Sequence, residues 1–519
     1  MHPEIYLDAN ATSPVLPAAA AAAMAAMQDG FGNPSSSHAT GLRARAQRER
    51  VRAAARRVLG AGQGRVMFNS GATEGIQTAV LSMLCAVRER RAAGQPCGDL
   101  LLVGATEHKA VPESLAHWNR LLGAGLGLEL RTLPVDADGR HRLDVLRALA
   151  PRAAFVCTMA ANNESGVVSD LAGIGQVLRD TASPALWMVD CVQALGKLGL
   201  DLAASGIDYA PFSGHKLHAP KGIGMLYVRE GAPYTPLMCG GGQEAGQRSG
   251  TENMAGIAAL GMVLEALERG DTFRSHADLH TCRARLAAAL QSAFPGIVFN
   301  APFEHTLPTT LNFSVPGASS ADMLELFDAA GMRVSAGSAC SAAKAAPSFV
   351  LDAMGLPAWR SASAVRLSFG PLFDDAALAQ ACQRIARCGA ALAGSPPQAT
   401  APATPATPAT SAPAIDAAGL ELAAAAVQAW LAAHPDALLV DVREAREYGV
   451  GTATLHQRAT VNVPLARLGE HTGGWIGDGA RPLLFVCRSG GRSARAAQAL
   501  RALGHPRAWS LAGGFALAG

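Results

Sequence analysis

Residues 185–228 of the chain read ALWMVDCVQALGKLGLDLAASGIDYAPFSGHKLHAPKGIGMLYV. The apolar runs ALWMVD and GIGMLYV are typical of buried strands, and polar or small residues follow where each run ends. Working outward, the same pattern recurs in RVMFNS, DLLLVGAT and AAFVCTM, with longer helical segments between the runs. Strands that alternate with helices favour an α/β fold with a largely parallel sheet.

The length and charge of the chain narrow its functional class. Its 519 residues correspond to roughly three folding units at ~150 residues each. Lys and Arg total 44 against 41 Asp and Glu, and no run of like charges stands out. We therefore expect no direct contact with nucleic acid.

The chain shows no sign of a membrane, secretory or metal-binding protein. The longest apolar stretch, residues 18–27, is shorter than the ~20 residues of a membrane span. The N-terminal segment lacks the basic start and apolar run of a secretory leader. Ten cysteines are too sparse for a disulfide framework, and no Cys/His cluster suits a metal. These features predict a cytoplasmic enzyme without a metal.

A change in composition divides the chain. Residues 394–414, GSPPQATAPATPATPATSAPA, contain almost no large apolar side chain and are predicted to be a linker between two folded parts. The second part, residues 415–519, repeats the α/β pattern in miniature with ALLVDV, PLLFVC and the helical SARAAQALRALG.

Polar residues that follow the strand-like runs indicate a cofactor site at the carboxyl edge of the sheet. Thr73 lies in GATEG at a predicted helix N-terminus, which suits a phosphate but also fits simple capping. Asp190 ends a buried strand and needs a cationic partner. Lys216 lies among small residues, where a lysine can lose its proton and form a Schiff base. This combination, in this order, matches the requirements of pyridoxal phosphate (PLP).

The first part of the chain resembles a known enzyme family across nearly all of residues 1–393. The resemblance to the NifS/IscS-type cysteine desulfurases rests on LDANAT, GNPSSSH, SGATE, EHKAV, NNESG, VDCVQ, SGHKLHAPKGIG, GGGQEAGQRSGTEN and SAGSAC. It implies a fold-type I PLP-dependent transferase that works as a homodimer. The implied division is a small α+β domain (1–18 and 260–393) and a large PLP-binding domain (19–259) with a mostly parallel mixed sheet.

The resemblance also implies roles for individual residues. Lys216 would hold the cofactor covalently, Asp190 would pair with the pyridinium nitrogen, Gln193 would bond the phenolic oxygen, and His108 would stack on the ring and relay protons. Asn163 would contact cofactor and substrate. The implied phosphate ligands are Ala72, Thr73, Ser213, His215 and, from the other subunit, Thr251.

Arg366 and Cys340 complete the implied site. Arg366, in VRLSFG, would bind the substrate carboxylate, a task that suits the planar guanidinium. Cys340 lies in the Ser/Gly/Ala-rich run SAGSACSAAKAAP, which predicts a loop. Its thiolate would take sulfur from L-cysteine, leaving L-alanine and a Cys340 persulfide.

The second part resembles a single rhodanese domain. Cys487 follows the apolar run PLLFV and opens CRSGGRS ahead of a predicted helix, so its sulfur should face a ring of backbone N–H groups. The predicted loop consists of Arg488, Ser489, Gly490, Gly491 and Arg492. The spacing between Cys487 and Arg492 favours sulfur over phosphate as the group transferred.

Three functions stay open from the sequence. The leading hypothesis is a desulfurase that passes sulfur from Cys340 to Cys487 and on to an acceptor in iron–sulfur cluster assembly, thio-cofactor synthesis or tRNA thiolation. In the second, the rhodanese domain is a docking module and Cys340 delivers sulfur directly to a scaffold protein. In the third, the substrate is selenocysteine.

Overall fold

The computed structural model describes residues 4–123, 125–336, 347–393, 419–451, 453–477 and 481–518. The strands of the first part are β1 (Ile5–Tyr6), β2 (Arg65–Asn69), β3 (Leu100–Gly104), β4 (Glu129–Leu133), β5 (Ala153–Met159), β6 (Leu186–Asp190), β7 (Tyr209–Ser213), β8 (Gly224–Val228), β9 (Val298–Phe299), β10 (Thr310–Ser314), β11 (Met332–Arg333), β12 (Ser335–Ala336) and β13 (Ala364–Ser368). Its helices are α1 (Pro17–Gln28), α2 (Ala39–Val58), α3 (Ala72–Ala92), α4 (Ala110–Leu122), α5 (Leu143–Leu149), α6 (Leu171–Asp180), α7 (Leu202–Ser205), α8 (Met254–Arg269), α9 (His276–Ala293), α10 (Ser320–Ala329), α11 (Phe349–Ala353), α12 (Ala358–Ser363) and α13 (Asp375–Ala393).

A seven-stranded sheet in the order β2-β8-β7-β6-β5-β3-β4 forms the centre of the first part. Strand β8 runs antiparallel to both of its neighbours, and the other pairs are parallel. Trp187 packs in the core on the α2, α6 and α8 side, whereas the next residue, Met188, packs under α3 and α4. Helices cover both faces because the strands are apolar on both sides, as in parallel sheets generally. The predicted largely parallel α/β sheet is confirmed.

A smaller unit packs beside this sheet. Strands β12-β13-β10-β9 form an antiparallel sheet, β1 pairs in parallel with β11, and α9, α10 and α13 close the core around them. Helix α8 contributes Ile257, Leu260 and Val263 to the core of the large sheet. The predicted boundary between 259 and 260 falls inside this helix, so we propose that all of α8 belongs to the large domain.

The C-terminal part has its own parallel sheet. Its strands are β14 (Glu421–Leu422), β15 (Leu438–Asp441), β16 (Thr454–Leu455), β17 (Arg458–Ala459), β18 (Val461–Asn462), β19 (Leu483–Val486) and β20 (Ala508–Leu511), and its helices are α14 (Val427–Ala433), α15 (Ala445–Val450), α16 (Gly469–Gly477), α17 (Gly491–Ala502) and α18 (Gly514–Leu517). The sheet order is β14-β20-β19-β15-β18, with every pair parallel. The second α/β unit predicted from the sequence is therefore confirmed.

Within the described ranges, no helix is both long enough and apolar enough to cross a bilayer. In the same ranges, no group of three or more His, Cys, Asp or Glu side chains is arranged to hold a metal ion.

Candidate active site

The carboxyl ends of β6 and β7 bring the predicted carboxylate and lysine to one edge of the large sheet. Asp190 is the last residue of β6, and Lys216 ends a short 3-10 turn after β7. Asp190 is buried, and its Oδ1 accepts a hydrogen bond from the Val192 amide (2.9 Å). Burial raises the pKa of the Asp190 carboxyl, while the Val192 amide, His108 and Lys216 oppose the rise. A buried carboxylate in this position is well suited to a protonated ring nitrogen.

His108 lies between β3 and α4, and the charges of Asp190 and Lys216 affect the pKa of its imidazole. Burial lowers the pKa of its imidazole, and Asp190 partly opposes that effect. Its Nδ1 accepts a hydrogen bond from the Ala110 amide (3.2 Å). The ring is therefore neutral near pH 7 and able to accept a proton. The neighbouring Glu107 is buried, and burial followed by the charge of Asp190 raises the pKa of its carboxyl well above the usual range.

Asn10 connects the lysine to the rest of the site, a role that the sequence interpretation missed. Its backbone carbonyl accepts hydrogen bonds from Lys216 Nζ (2.8 Å) and Gln193 Nε2 (3.1 Å). Its side-chain oxygen accepts one from Lys197 Nζ (3.2 Å). The LDANAT motif that holds Asn10 contributed to the resemblance, but nothing in its local pattern indicated contacts with residues so distant in the chain.

Lys197 is a second buried lysine that the sequence interpretation missed. Its Nζ donates to Gln193 Oε1 (2.6 Å), so it fixes the amide predicted to face the cofactor phenolic oxygen. Burial, followed by the charges of Lys216 and Arg366, lowers the pKa of Lys197 from 10.5 to about 7. The site therefore contains two lysines whose charges influence each other.

The predicted phosphate turn lies at the N-terminus of α3. Ala72 and Thr73 are the first two residues of this helix, and no side chain among the described residues caps their amides. Gly71 precedes them with a φ of 149°, where a side chain would be strained. A Cβ built on Gly71 would lie 3.8 Å from Ser213 Oγ, and one on Gly224 would lie 2.6 Å from the Gly71 Cα. These free amides and the hydroxyl form a cradle that fits the phosphate of PLP.

Two other predicted phosphate ligands lie in different surroundings. His215 is half-buried, and its Nδ1 is 3.1 Å from Thr12 Oγ1. Burial and the charges of Lys216 and Lys221 lower the pKa of His215 to about 4, so it is neutral near pH 7. Thr251 lines a surface cavity together with Ser70, and its predicted role across a dimer stays a prediction.

Arg366, the predicted ligand of the substrate carboxylate, lies on β13. Its guanidinium is 1% exposed and donates to Asp8 Oδ1 (2.6 Å) and to the Asn163 carbonyl (2.9 Å). Its Nε has no hydrogen-bond partner among the described residues. This unpaired Nε–H belongs to a guanidinium that is already held in place, and it is suited to a substrate carboxylate. Asn163 contributes its backbone carbonyl, which also accepts from the Asn10 side chain (3.2 Å).

Cys340 lies outside the described residues, within the gap at 337–346. The strand that leads into this gap is β12, and its residue Ser335 is paired with Arg366 on β13. The described chain therefore lies beside Arg366 just before the gap begins.

Comparisons with known proteins agree with this geometry. Residues 5–378 match the model of the class-V aminotransferase family. A cysteine desulfurase from Gluconacetobacter diazotrophicus is 37% identical over 374 residues, which is 72% of this chain and 90% of the relative. The chain belongs to the class-V aminotransferases, among the cysteine desulfurases. The family depends on PLP, the cofactor predicted from the sequence.

Solved structures support the same assignment for the desulfurase. A NifS-like protein superimposes with a TM-score of 0.65 at 30% identity, covering 74% of this chain and 98% of the other. A structure described as SspA in complex with cysteine gives a TM-score of 0.60 at 27% identity, covering 70% and 99% of the two chains.

The desulfurase also carries a second domain, since residues 423–517 match the rhodanese-like domain model. Cys487 follows β19 and is 1% exposed. Its Sγ accepts hydrogen bonds from the amides of Gly490 (3.2 Å) and Ser493 (3.4 Å). Gly490 has a φ of 92°, which turns the loop back over the sulfur before α17 begins. Two backbone N–H groups of the loop therefore donate to the sulfur, and such donors stabilise an anionic sulfur.

The two arginines of the rhodanese loop have different partners. Arg492 forms a two-pronged ion pair with the fully buried Glu447 of α15, at 2.7 and 2.8 Å. Arg488 reaches out of the domain and pairs with Asp328 of α10 (2.8 Å). The loop residues Ser489 and Gly491 are exposed. The sequence predicted the loop but could not predict which of its arginines would remain at the surface.

Proposed function

We propose that this desulfurase converts L-cysteine to L-alanine, collects the sulfur as a persulfide on Cys340 and passes it to Cys487 of its own rhodanese domain. It then delivers the sulfur to an acceptor protein in iron–sulfur cluster assembly, or in thio-cofactor or tRNA thiolation. It does so as a cytoplasmic homodimer. The observation that carries the relay is the ion pair between Arg488, which directly follows Cys487, and Asp328 of the desulfurase.

The position of Asp328 in the chain supports a short route for the sulfur. Helix α10 ends one residue after Asp328, and β11 and β12 follow it directly. Ala336, the last residue of β12, is four residues from Cys340. Four residues of fully extended chain span at most ~14 Å. The rhodanese loop therefore docks on the same chain segment that leads to Cys340.

Residues of the first site are assigned roles that suit their contacts. When bound, PLP supplies an electron sink at the substrate α-carbon. Lys216 holds the cofactor, Asp190 pairs with its ring nitrogen, and Gln193, oriented by Lys197, donates to its phenolic oxygen. His108 accepts and returns protons, because its imidazole is neutral near pH 7. The phosphate ligands are Ala72, Thr73, Ser213, His215 and Thr251 of the partner subunit.

The substrate side orients L-cysteine. Arg366 is held by Asp8 and the Asn163 carbonyl, and it binds the substrate carboxylate through its unpaired Nε–H. Its guanidinium is held on two sides, so little side-chain entropy is lost when the substrate binds. The Cys340 thiolate then takes the substrate sulfur.

The transfer between the two cysteines is a thiol–persulfide exchange. The Cys487 thiolate attacks the outer sulfur of the Cys340 persulfide, a new S–S bond forms, and the Cys340 thiolate leaves. No net oxidation or reduction occurs. The amides of Gly490 and Ser493 stabilise both the thiolate and the persulfide of Cys487.

Peptide mass spectrometry tests the relay. The PLP-loaded full chain is exposed briefly to L-cysteine, and persulfide sulfur is measured separately on the Cys340 and Cys487 peptides. Wild type should load both cysteines, and Cys340→Ser should load neither. The exposed Cys239 is an internal control for sulfur that diffuses freely. Loading of Cys487 in Cys340→Ser would contradict the relay.

The docking-module alternative predicts a different pattern. Cys340 would be loaded while Cys487 stays unmodified, and Cys487→Ser would leave delivery to a scaffold protein unchanged. Deletion of residues 415–519 would still reduce delivery, because the domain would serve as the binding surface.

The selenocysteine alternative concerns the substrate only. The contacts of Arg366 and Asn163 recognise the amino-acid backbone and do not distinguish sulfur from selenium. Steady-state rates on L-cysteine and L-selenocysteine, with and without Cys340→Ser, separate the two activities. A desulfurase should lose its L-cysteine activity in this variant.

A further inference from the structure

The rhodanese domain packs on the small unit of the desulfurase through α15. Val450, at the end of α15, is buried in the apolar core formed by the small unit. Its carbonyl accepts a hydrogen bond from Arg387 Nη2 of α13 (3.0 Å). The contact is therefore built from a buried side chain as well as from charges.

One face of α10 supplies the acidic half of this contact. Asp322, Glu325 and Asp328 recur every three residues and so lie along one side of the helix. Asp322 pairs with Arg446 of α15. Glu325 lies 3.4 Å from Arg492, and Asp328 lies 2.8 Å from Arg488. We call these three carboxylates the α10 acidic face.

The α10 acidic face changes the electrostatics around Cys487. Arg492 is already neutralised by Glu447, which leaves Arg488 as the loop cation able to attract an anion. Asp328 pairs with Arg488, and the Asp328 side chain is only 21% exposed. A small anion that approaches Cys487 therefore meets carboxylates where the isolated loop would present a positive charge.

The surface of the rhodanese loop stays partly open. Ser489 and Gly491 of the loop are exposed, so a small molecule can reach the loop without displacing the desulfurase, although Cys487 itself is only 1% exposed. We propose that the α10 acidic face is a specificity determinant that disfavours small anionic sulfur donors, thiosulfate among them, at Cys487. While the domain is docked, neutral reagents are not affected and small anionic donors are disfavoured relative to them.

A matched pair of alkylating reagents tests this specificity. Iodoacetate and iodoacetamide are similar in size and react in the same way, since a thiolate displaces iodide from each, but only iodoacetate is an anion. Their rates on Cys487 are measured by peptide mass spectrometry with the PLP-loaded full chain at pH 7. The iodoacetate-to-iodoacetamide ratio reports the local charge, and L-cysteine is omitted.

The variants isolate the acidic face. Asp328→Asn combined with Glu325→Gln should raise the ratio by about two- to fivefold, the range expected for partly exposed ion pairs. The control, Glu113→Gln combined with Glu304→Gln, removes the same net charge at exposed positions away from the loop and should leave the ratio unchanged. Asp328→Glu keeps the charge and should resemble wild type.

Three results would overturn the proposal. These are an unchanged ratio in the double variant, an equal rise in both rates, and an absence of alkylation at Cys487 by either reagent in every variant. An equal rise would mean that docking blocks access sterically. Because the assay contains no L-cysteine, its outcome is independent of whether Cys487 receives sulfur from Cys340.

Discussion

The ion pair between Glu447 and Arg492 should contribute strongly to the stability of the rhodanese domain. Glu447 is fully buried, its two oxygens each accept from Arg492, and Oε2 also accepts from the Glu444 amide (2.9 Å). Glu447→Gln keeps the shape of the side chain but removes its charge. It also turns an amide N–H group toward the guanidinium, so a donor meets a donor.

The expected loss of stability follows from this geometry. Removing one partner of a buried ion pair costs ~3–5 kcal/mol, because the other charge stays buried. Glu325, at 3.4 Å from Arg492, still offers partial compensation, so we expect the lower end, about 3 kcal/mol. For a domain of this size each kcal/mol lowers the melting temperature by ~4–8 °C. The rhodanese transition should therefore fall by about 12 °C or more.

Differential scanning calorimetry of the full chain measures this shift, and cofactor absorbance during heating identifies the desulfurase transition. Glu470→Gln is the matched control, since Glu470 also accepts from two nitrogens of an arginine, Arg467, but the pair is exposed. It should give no resolvable change. The buried pair would not stabilise the domain as described if the two variants shifted equally, or if Glu447→Gln shifted by less than about 3 °C.

Three further predictions concern the desulfurase. Arg366→Lys should raise the KM for L-cysteine about 100-fold with unchanged cofactor absorbance, because an ammonium cannot replace the planar fork; steady-state kinetics would contradict this if KM stayed within about threefold. The pKa of Lys197 in the folded state, about 7, lies below its usual 10.5, so wild type should gain stability as pH rises from 7 toward 10. Melting curves over that range should show no such gain for Lys197→Met, and an equal gain in both proteins would contradict the burial argument. Gly224→Ala should reduce PLP retained after gel filtration, because its Cβ would press on the Phe212 carbonyl and on the backbone of Gly71, whereas Gly199→Ala, which meets nothing within 4 Å, should retain PLP normally.

Much of the fold could be predicted because the end of each buried strand is visible in the local sequence. The run that ends on Asp190 and the turn that carries Lys216 are visible as an apolar stretch followed by polar or small residues, and the structure places both at one edge of the sheet. The same reasoning located Cys487 between an apolar run and a helix. Parallel strands then bring these ends together without further information.

The remainder depended on contacts between distant parts of the chain. Asn10 meets Gln193 and Lys216 across 183 and 206 residues, and its own neighbourhood gives no reason to expect this. Lys197 follows an apolar segment, yet its burial appears only once the N-terminal segment covers it. The partner of Arg488 lies on α10, in a different folded part, so no local pattern could identify it.

The strength of the docking contact bears directly on the proposed relay. Partly exposed ion pairs such as Arg488–Asp328 contribute only ~0.2–1 kcal/mol each, and burial of Val450 adds ~1.5 kcal/mol or somewhat more. Such a contact is weak between separate molecules, but the covalent connection keeps the domains at an effective concentration of about millimolar. In the proposed relay, the rhodanese domain would therefore dock often enough to take sulfur and still leave to present Cys487 to another protein. A variant that makes docking permanent, such as a disulfide across the contact, should preserve loading of Cys487 and abolish delivery to the acceptor; unimpaired delivery would show that the sulfur leaves from the docked state.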